Sequence, residues 1–235
     1  MIYVTSDLHG LPLADLQALL DKAGFGKSDW LYILGDVVDR RGDGGVGILQ
    51  WLLVQDNAQL LLGNHEAMLL ACDFVFDEIT QESLADVTVE KLEGLQTYLQ
   101  NGGGVTLAAM QELMQDAPET AAAIRDYLKD APLYETVMAG GKDFLLCHAG
   151  LDNFSPEKKL CRYTCDEFLW CRPKITDVYF DDIVTVFGHT PTKALDKGHK
   201  GKILFTKTWI DIDVGAAYGY PPALLRLDDL KEFYL

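Results

Sequence analysis

The first 70 residues alternate between short apolar runs and longer segments in which apolar residues recur with helical period. The apolar runs predict strands at residues 1–5, 29–34 and 58–62. The helical period predicts helices at about 11–23, at about 44–54 and from about 64. Strands that alternate with helices favour right-handed βαβ units and a largely parallel sheet. This part of the chain therefore predicts an α/β fold.

The pattern changes in the middle of the chain. From about 80 to 131 it is helical, and the run Gly102 to Gly104 interrupts it. Strand patterns then return at 132–138, 143–147, 183–187, 202–206, 209–213, 222–227 and 231–235. We predict a single domain over 1–235, in which a second β-rich half packs on the first sheet and a helical cap is inserted at about 80–131.

Polar motifs directly follow five of the predicted strands, and they read SDLHG, GDVVDR, GNHE, CHAG and GHTP. Loops at the carboxyl ends of strands converge at one edge of an α/β sheet, so residues distant in sequence meet there. The motifs supply two aspartates, an asparagine and three histidines able to bind metal, with one further histidine and an arginine. Mixed carboxylate, amide and imidazole ligands suit ions such as Mn(II), Fe(II) or Zn(II). The pattern is typical of a two-metal phosphoesterase site.

The five motifs, in this order, resemble those of the phosphoprotein phosphatases, the calcineurin-like metallophosphoesterases of bacterial and phage serine/threonine phosphatase type. The resemblance spans residues 1 to about 220 and implies a sandwich of two mixed β-sheets flanked by helices. It also implies ligands for two metal ions, of which Asp36 would bridge both. The implied ligands are Asp7, His9 and Asp36 for the first ion and Asp36, Asn64, His148 and His189 for the second.

The resemblance further implies roles for residues that are not ligands. His65 corresponds to the proton donor of the family and Asp39 to the residue that orients it. Arg40 corresponds to an arginine that binds the substrate phosphate. Arg172, in FLWCRP, matches a second phosphate-binding arginine through a looser pattern.

Two positions depart from the family pattern. Ser6 stands where the first motif usually has Gly, which predicts a slightly different backbone path before Asp7. Arg41 stands where the second motif usually has Gly, and a positive φ there would strain Arg41 and redirect Arg40.

The predicted reaction is hydrolysis of phosphate monoesters by direct attack of a metal-bound water, with phosphorylated serine or threonine of proteins as substrate. Hydrolysis of symmetrical dinucleoside tetraphosphates is an alternative, because those enzymes use a similar motif series. Glu66 rather than Asp in GNHE favours the protein phosphatase branch. An alternative of another class is a non-catalytic, phosphate-binding scaffold.

Charge and composition limit the partners. The formal net charge of −16 disfavours binding to nucleic acid and to anionic membranes, so a phosphorylated protein or a small phosphoester is the expected partner. The absence of a signal peptide pattern and of a long apolar run predicts a cytoplasmic protein. The five cysteines are expected to be reduced and partly buried, although Cys161, Cys165 and Cys171 form a cluster.

Some polar residues near the motifs have a simpler interpretation. Asp211 and Asp213 alternate with isoleucines, and we expect them to form an exposed polar strand face, although the resemblance implies a position near the active-site end. Glu66 is expected to stabilise the start of a helix rather than to bind metal. Tyr218 and Tyr220 lie in a Gly- and Pro-rich loop, where they would either overhang the substrate or be half-buried by packing.

Overall fold

The computed structural model describes residues 1–235 and contains ten strands and nine α-helices. The strands are β1 (Ile2–Thr5), β2 (Trp30–Ile33), β3 (Ala58–Leu60), β4 (Tyr134–Ala139), β5 (Lys142–Cys147), β6 (Ile183–Phe187), β7 (Leu204–Phe205), β8 (Trp209–Asp211), β9 (Ala223–Arg226) and β10 (Lys231–Tyr234). The helices are α1 (Leu13–Ala23), α2 (Val46–Leu52), α3 (Asn64–Ala71), α4 (Gln81–Ala85), α5 (Val89–Gln100), α6 (Gly104–Asp116), α7 (Pro118–Lys129), α8 (Cys165–Leu169) and α9 (Thr192–Leu195).

The strands form two mixed sheets of five strands each, as predicted. The first sheet has the order β10-β9-β1-β2-β3, in which β1, β2 and β3 are parallel and β9 and β10 are antiparallel. The second has the order β4-β5-β6-β8-β7, with β5, β6 and β8 parallel. The parallel strands are central in the second sheet, whereas β3 forms an edge of the first. The carboxyl ends of β1, β2, β3, β5 and β6 lead into the five polar motifs.

Helix α1 shows why the first crossover forms. Its buried residues Leu16, Leu19, Leu20 and Ala23 recur at helical spacing and cover the first sheet. Gly24 ends the helix with φ 72°, a left-handed conformation that glycine adopts at little cost. The chain then turns directly into β2.

Two apolar layers enclose the first sheet. A cluster of 15 buried residues, which includes Val4, Leu34, Leu146 and Val186, lies between the two sheets. A larger cluster of 28 buried residues covers the other face of the first sheet. Parallel strands buried on both faces require such continuous apolar runs.

The helical segment from α4 to α7 contributes to this larger cluster. Tyr98, Met110 and Ile124 are fully buried in it together with Leu19 and Leu49 of α1 and α2. The segment predicted as a cap therefore packs on the first core from the end of α5 through α7, whereas α4 has no buried residue. That residues 80–131 form a cap inserted into a single domain stays a prediction.

Helix boundaries follow the sequence pattern closely in the long elements. The glycine run breaks the helical segment as predicted, and α6 begins at Gly104. Helices α8 and α9 were not predicted, because four or five residues are too few to display a period of 3.6. None of the helices combines the length and apolarity needed to cross a bilayer.

We predict that Met110 on α6 is essential to the stability of the first core. Met110→Ala should lower the free energy of unfolding by about 2 to 5 kcal/mol, because it leaves a cavity at a fully buried site. Met138→Ala, at a methionine that is 72% exposed, should change it by less than about 0.5 kcal/mol. Urea unfolding of both variants measures the difference, and equal effects would show that α6 is not part of this core.

Candidate active site

The structure brings the predicted site residues together at the carboxyl ends of the central strands. Eight of them line one cavity: Asp7, His9, Asp36, Arg40, Asn64, His65, Arg172 and His189. The other two lie directly behind it. His148 Nε2 is 2.8 Å from Asn64 Oδ1, and Asp39 Oδ2 is 2.6 Å from His65 Nδ1.

Asp36 lies at the centre of the site. Its Oδ2 atom is 3.5 Å from His9 Nε2, and its Oδ1 atom is 3.5 Å from His148 Nε2. Two groups of potential ligands therefore share this carboxylate, and within each group the ligand atoms lie within 4.8 Å of one another. The groups are His9, Asp36 and His65, and Asp36, His148 and His189.

Backbone carbonyls fix the tautomers of two histidines. His9 Nδ1 is 3.1 Å from Val38 O, and His148 Nδ1 is 2.7 Å from Leu34 O. Only a protonated nitrogen can donate to a carbonyl, so in each neutral ring the Nε2 lone pair faces the site. Burial, together with the charge of Arg40, holds the pKa of His9 well below its ordinary value and keeps the ring neutral.

Three potential ligand atoms meet on the second side of Asp36. His148 Nε2 lies 2.8 Å from Asn64 Oδ1 and 3.2 Å from His189 Nδ1, and these last two atoms are 2.9 Å apart. Burial and the neighbouring His148 lower the pKa of His189, which favours a neutral ring. In the tautomer that carries its proton on Nδ1, His189 donates to this cluster, and in the other tautomer all three atoms present lone pairs that a cation would bind.

The donor set fits divalent metal ions. Asp36 is 2% exposed, and burial raises its pKa well above the ordinary value; the charge of His65 opposes this shift and that of Asp7 adds to it. A buried carboxylate of this kind is stable as an anion only when positive charge compensates it. Carboxylate, amide and neutral imidazole ligands are the types that borderline divalent ions prefer. The residues present therefore fit a metal centre.

Backbone strain concentrates in the same loops. Eight residues other than glycine have positive φ, and six of them belong to the site: Asp7, His9, Asp36, Asp39, Arg40 and His189. Each such residue costs about 1 to 3 kcal/mol, so the surrounding structure must enforce the conformation. The loops are shaped by their site rather than by local preference.

Arg41 does not have the positive φ that would strain it, because the positive φ falls on the two preceding residues, Asp39 (79°) and Arg40 (71°). The guanidinium of Arg41 instead donates to Leu8 O and His9 O, each at 3.1 Å. Arg41 therefore holds the first metal-binding loop against the second.

Ser6, the other departure from the family pattern, is buried beside its neighbour Asp7. Its hydroxyl donates to the Asp7 carboxylate, and the same carboxylate accepts the His189 N–H at 2.9 Å. A side chain at Gly188 would collide with the Ser6 hydroxyl, so the loops carrying Asp7 and His189 approach closely because that position is glycine.

Glu66 connects two further loops. Its Oε2 atom accepts the N–H groups of Asp36 and Gly63, at 2.8 and 3.0 Å, and its Oε1 atom accepts those of Val37 and Val38. The carboxylate is fully buried at the start of α3 and does not line the cavity. Its role here is to hold the Asp36 loop, so its identity says nothing about the substrate.

His65 lies between an acid and an arginine. Its Nδ1 atom is 2.6 Å from Asp39 Oδ2, and its Nε2 atom is 3.2 Å from Arg40 Nη2 and 3.9 Å from Asp36 Oδ2. Burial alone would lower the pKa of His65, but the charges of Asp36 and Asp39 outweigh it and raise the pKa. A histidine with a raised pKa at the cavity wall can donate a proton near neutral pH.

The expectation that Asp211 and Asp213 form an exposed face is wrong. They are 0% and 4% exposed, and Asp213 lines the cavity. Burial raises the pKa of both carboxyl groups, and Asp213 adds to the effect on Asp211. Their position after a buried strand, the same signal that identified the histidines, would have indicated this placement.

Further cavity residues were missed by the sequence analysis. They are Asn101, Trp170, Pro191 and Ala217. Trp170 stands two residues before Arg172, so the motif FLWCRP carried a signal for it. Tyr218, considered from the sequence, also lines the cavity and is 57% exposed.

The cysteines do not contribute to the site. All five are free, and Cys161 and Cys165 are exposed while Cys171 is buried. Cys147 is fully buried beside His148, and burial raises the pKa of its thiol to about 12. A thiol in this state is not a nucleophile at neutral pH.

The fold and this site identify the class of protein. The chain belongs to the calcineurin-like phosphoesterase family, whose sequence model matches residues 1–213. The match confirms the predicted metallophosphoesterase family and its fold.

Curated relatives carry a more specific name. The chain is 29% identical over 151 residues to a symmetrical bis(5'-nucleosyl)-tetraphosphatase from Acidovorax sp. (strain JS42), an alignment that covers 64% of this chain and 44% of the relative. It is also 29% identical over 151 residues to the protein of that name from Vibrio cholerae serotype O1, covering 63% and 44%. The matched part spans less than half of these relatives, and their name differs from the serine/threonine phosphatase type predicted from the motifs.

Solved structures share the fold. A protein described as a candidate diadenosine tetraphosphatase superposes with a TM-score of 0.62 at 20% identity, covering 100% of this chain and 92% of that one. A serine/threonine phosphatase from Saccharomyces cerevisiae superposes with a TM-score of 0.55 at 16% identity, covering 95% and 71%. At these identities the likeness concerns the fold alone.

We predict that Asp36 is required for metal binding on both sides of the site. A two-metal centre should hold about two ions per chain. Asp36→Asn removes the shared negative charge, so this variant should bind clearly less metal. Elemental analysis after equilibration with Mn(II) measures this, with Asp116→Asn on the exposed face of α6 as the control. Unchanged metal content in Asp36→Asn would contradict a shared ligand.

Proposed function

We propose that the protein is a metal-dependent phosphohydrolase that acts on dinucleoside polyphosphates and cleaves them with water. The observation that carries the substrate class is the alignment over 151 residues with symmetrical bis(5'-nucleosyl)-tetraphosphatases. The paired acceptor groups around Asp36 support the metal dependence. This proposal replaces serine/threonine phosphoproteins as the first candidate substrate.

The metal ligands proposed are those implied by the motifs. They are Asp7, His9 and Asp36 for one ion, and Asp36, Asn64, His148 and His189 for the other. Two divalent ions, for which Mn(II) is the first candidate and Fe(II) and Zn(II) are alternatives, would polarise phosphoryl oxygens and bring the pKa of water towards about 7.

The side chains around the ions have separate tasks. Arg40 and Arg172 both line the cavity, and each guanidinium can bind two non-bridging oxygens of a phosphate. His65 donates its Nε2 proton to the departing oxygen, and Asp39 orients the ring through Nδ1. We propose that water attacks phosphorus directly, without a phosphoenzyme; the buried Cys147 thiol, whose pKa is raised, does not serve as the nucleophile.

Aromatic side chains at the cavity rim support a nucleotide substrate. Trp170 is 45% exposed, and its ring centre lies 6.0 Å from that of His189. Tyr218 is 57% exposed and lies 5.8 Å from the guanidinium carbon of Arg40. Trp170 thus borders His189 of the second ligand group, and Tyr218 borders Arg40. An exposed ring beside a phosphate site can stack on a nucleobase.

A second candidate is hydrolysis of phosphate monoesters, including phosphoserine and phosphothreonine. It is favoured by the short contact of 2.6 Å between His65 and Asp39, because an oriented proton donor matters most when the leaving oxygen is a basic alkoxide. A nucleoside diphosphate leaves more readily and needs a donor less.

A substrate panel distinguishes the candidates. With added Mn(II), we expect kcat/KM for a dinucleoside tetraphosphate to exceed that for phosphoserine, phosphothreonine and phosphotyrosine peptides by at least about tenfold, equivalent to about 1.4 kcal/mol of transition-state binding. Symmetrical cleavage should give nucleoside diphosphate as the sole nucleotide product. A preference for the peptides would favour the second candidate, and bound metal without turnover would favour a non-catalytic scaffold.

We predict that Trp170 binds a nucleobase. Trp170→Ala should raise KM for the dinucleotide by roughly tenfold, because stacking on an aromatic side chain is worth about 1 to 3 kcal/mol per base. Hydrolysis of inorganic tripolyphosphate, which has no base, should change by less than about twofold. Trp170→Phe retains a ring and serves as the control. Equal losses on both substrates would assign Trp170 to support of His189 instead.

A further inference from the structure

The Asp39 carboxylate makes hydrogen bonds on both of its oxygens. Oδ2 faces His65 Nδ1 at 2.6 Å. Oδ1 accepts the hydroxyl groups of Tyr98 and Thr106, each at 2.6 Å. Tyr98 lies in the last turn of α5 and Thr106 in the first turn of α6, so both hydroxyls come from the helical segment at 80–131.

We propose that Tyr98 and Thr106 are positioning residues of the reaction, which hold Asp39 in the orientation that aligns His65. The helical segment would then complete the proton-donating apparatus as well as the first core. The inference rests on the proposed role of His65 as the proton donor.

Burial makes the two hydroxyls important for Asp39. Asp39, Tyr98 and Thr106 are all 0% exposed, so water does not compensate the carboxylate. Hydrogen bonds to an ionised acceptor are short and roughly twice as strong as neutral ones, in agreement with the distances of 2.6 Å. Burial and the charge of Asp39 hold the pKa of Tyr98 well above its ordinary value, so its hydroxyl remains a donor.

The same segment also fixes the backbone on which Asp39 stands. The Asp39 N–H donates to Thr106 Oγ1 at 2.9 Å, and the Arg40 N–H donates to Gly102 O at 3.1 Å. Asp39 and Arg40 both have positive φ, a conformation that needs support from outside the loop. Thr106 therefore contacts both the backbone and the side chain of Asp39.

A purely structural role makes a different prediction. Buried hydroxyls that only satisfy a core carboxylate would affect stability and reduce turnover of every substrate alike. Positioning residues of a proton donor should reduce turnover most where the leaving oxygen is basic. The dependence on the leaving group therefore separates the two roles.

The experiment compares Tyr98→Phe and Thr106→Val with His65→Asn in the full chain with Mn(II). Substrates are a phosphoserine peptide and nitrophenyl phosphate. His65→Asn gives the effect of losing the proton donor, and it should lower the rate of peptide hydrolysis by about 10² to 10⁴. Tyr98→Phe and Thr106→Val should lower that rate by about tenfold and the rate on the nitrophenyl ester by less than about twofold. Thr106→Ser retains the hydroxyl and should restore most of the activity on the peptide.

Tyr127→Phe is the matched control. Tyr127 lies on α7 of the same segment, and its hydroxyl accepts the Leu60 N–H at 3.1 Å instead of contacting Asp39. In metal-free protein, the nuclear magnetic resonance signal of the proton between His65 and Asp39 should shift or disappear in Tyr98→Phe and remain in Tyr127→Phe.

The outcomes separate this inference from the proposed function. If His65→Asn shows the leaving-group dependence while Tyr98→Phe and Thr106→Val lose equally on both substrates and keep the His65 signal, the inference is wrong and the proton donor stands. If His65→Asn itself shows no such dependence, the proposed proton donor is wrong and the inference falls with it.

Discussion

The convergence of buried acceptors on Asp36 is the constraint on which the rest of this structure depends. Neutral imidazole nitrogens face its two oxygens, each at 3.5 Å, and the amide oxygen of Asn64 adds another lone pair. Such an arrangement is unfavourable without cations, because buried carboxylates and lone pairs repel one another. The loops that create it are accordingly strained, with positive φ at six site residues.

Contacts between loops hold this arrangement in place. Arg41 joins the loop of Asp36 to the loop of His9, and Glu66 joins it to the turn before Asn64. Thr106 supports Asp39 from the helical segment. Each strained loop is thus fixed by a side chain from a different element, so the geometry of the site depends on the whole fold. The fold is that of the calcineurin-like phosphoesterase family, and Trp170 and Tyr218 at the cavity rim are the residues that we propose distinguish substrates.

The sequence predicted the strands and the motifs well because both are local signals. Apolar runs located β1, β2 and β6 within one residue at each end. The residues proposed from the motifs to bind metal lie together in the structure, and their role as ligands stays a prediction. The sequence could not predict contacts that depend on tertiary packing. The hydroxyls of Tyr98 and Thr106 lie 59 and 67 residues from Asp39, and no local pattern links them.

Two further features were not predicted from the sequence, because they too depend on tertiary packing. Alternation with isoleucine suggested an exposed face for Asp211 and Asp213, but β8 is covered on both faces and its polar residues are buried. The sequence also left open whether Arg41 has a positive φ; the positive φ falls on Asp39 and Arg40, whose N–H groups donate to Thr106 and Gly102. Both features follow from neighbours that are distant in sequence.

The most direct test of the metal centre is a crystal structure of the protein grown with Mn(II), with diffraction measured at the manganese absorption edge. The account predicts two anomalous peaks on opposite sides of the Asp36 carboxylate, one beside Asp7 and His9 and the other beside Asn64, His148 and His189. It also predicts that His65 remains bonded to Asp39 and does not contact either ion. A site without anomalous density, a single peak, or an ion bound to His65 would contradict it.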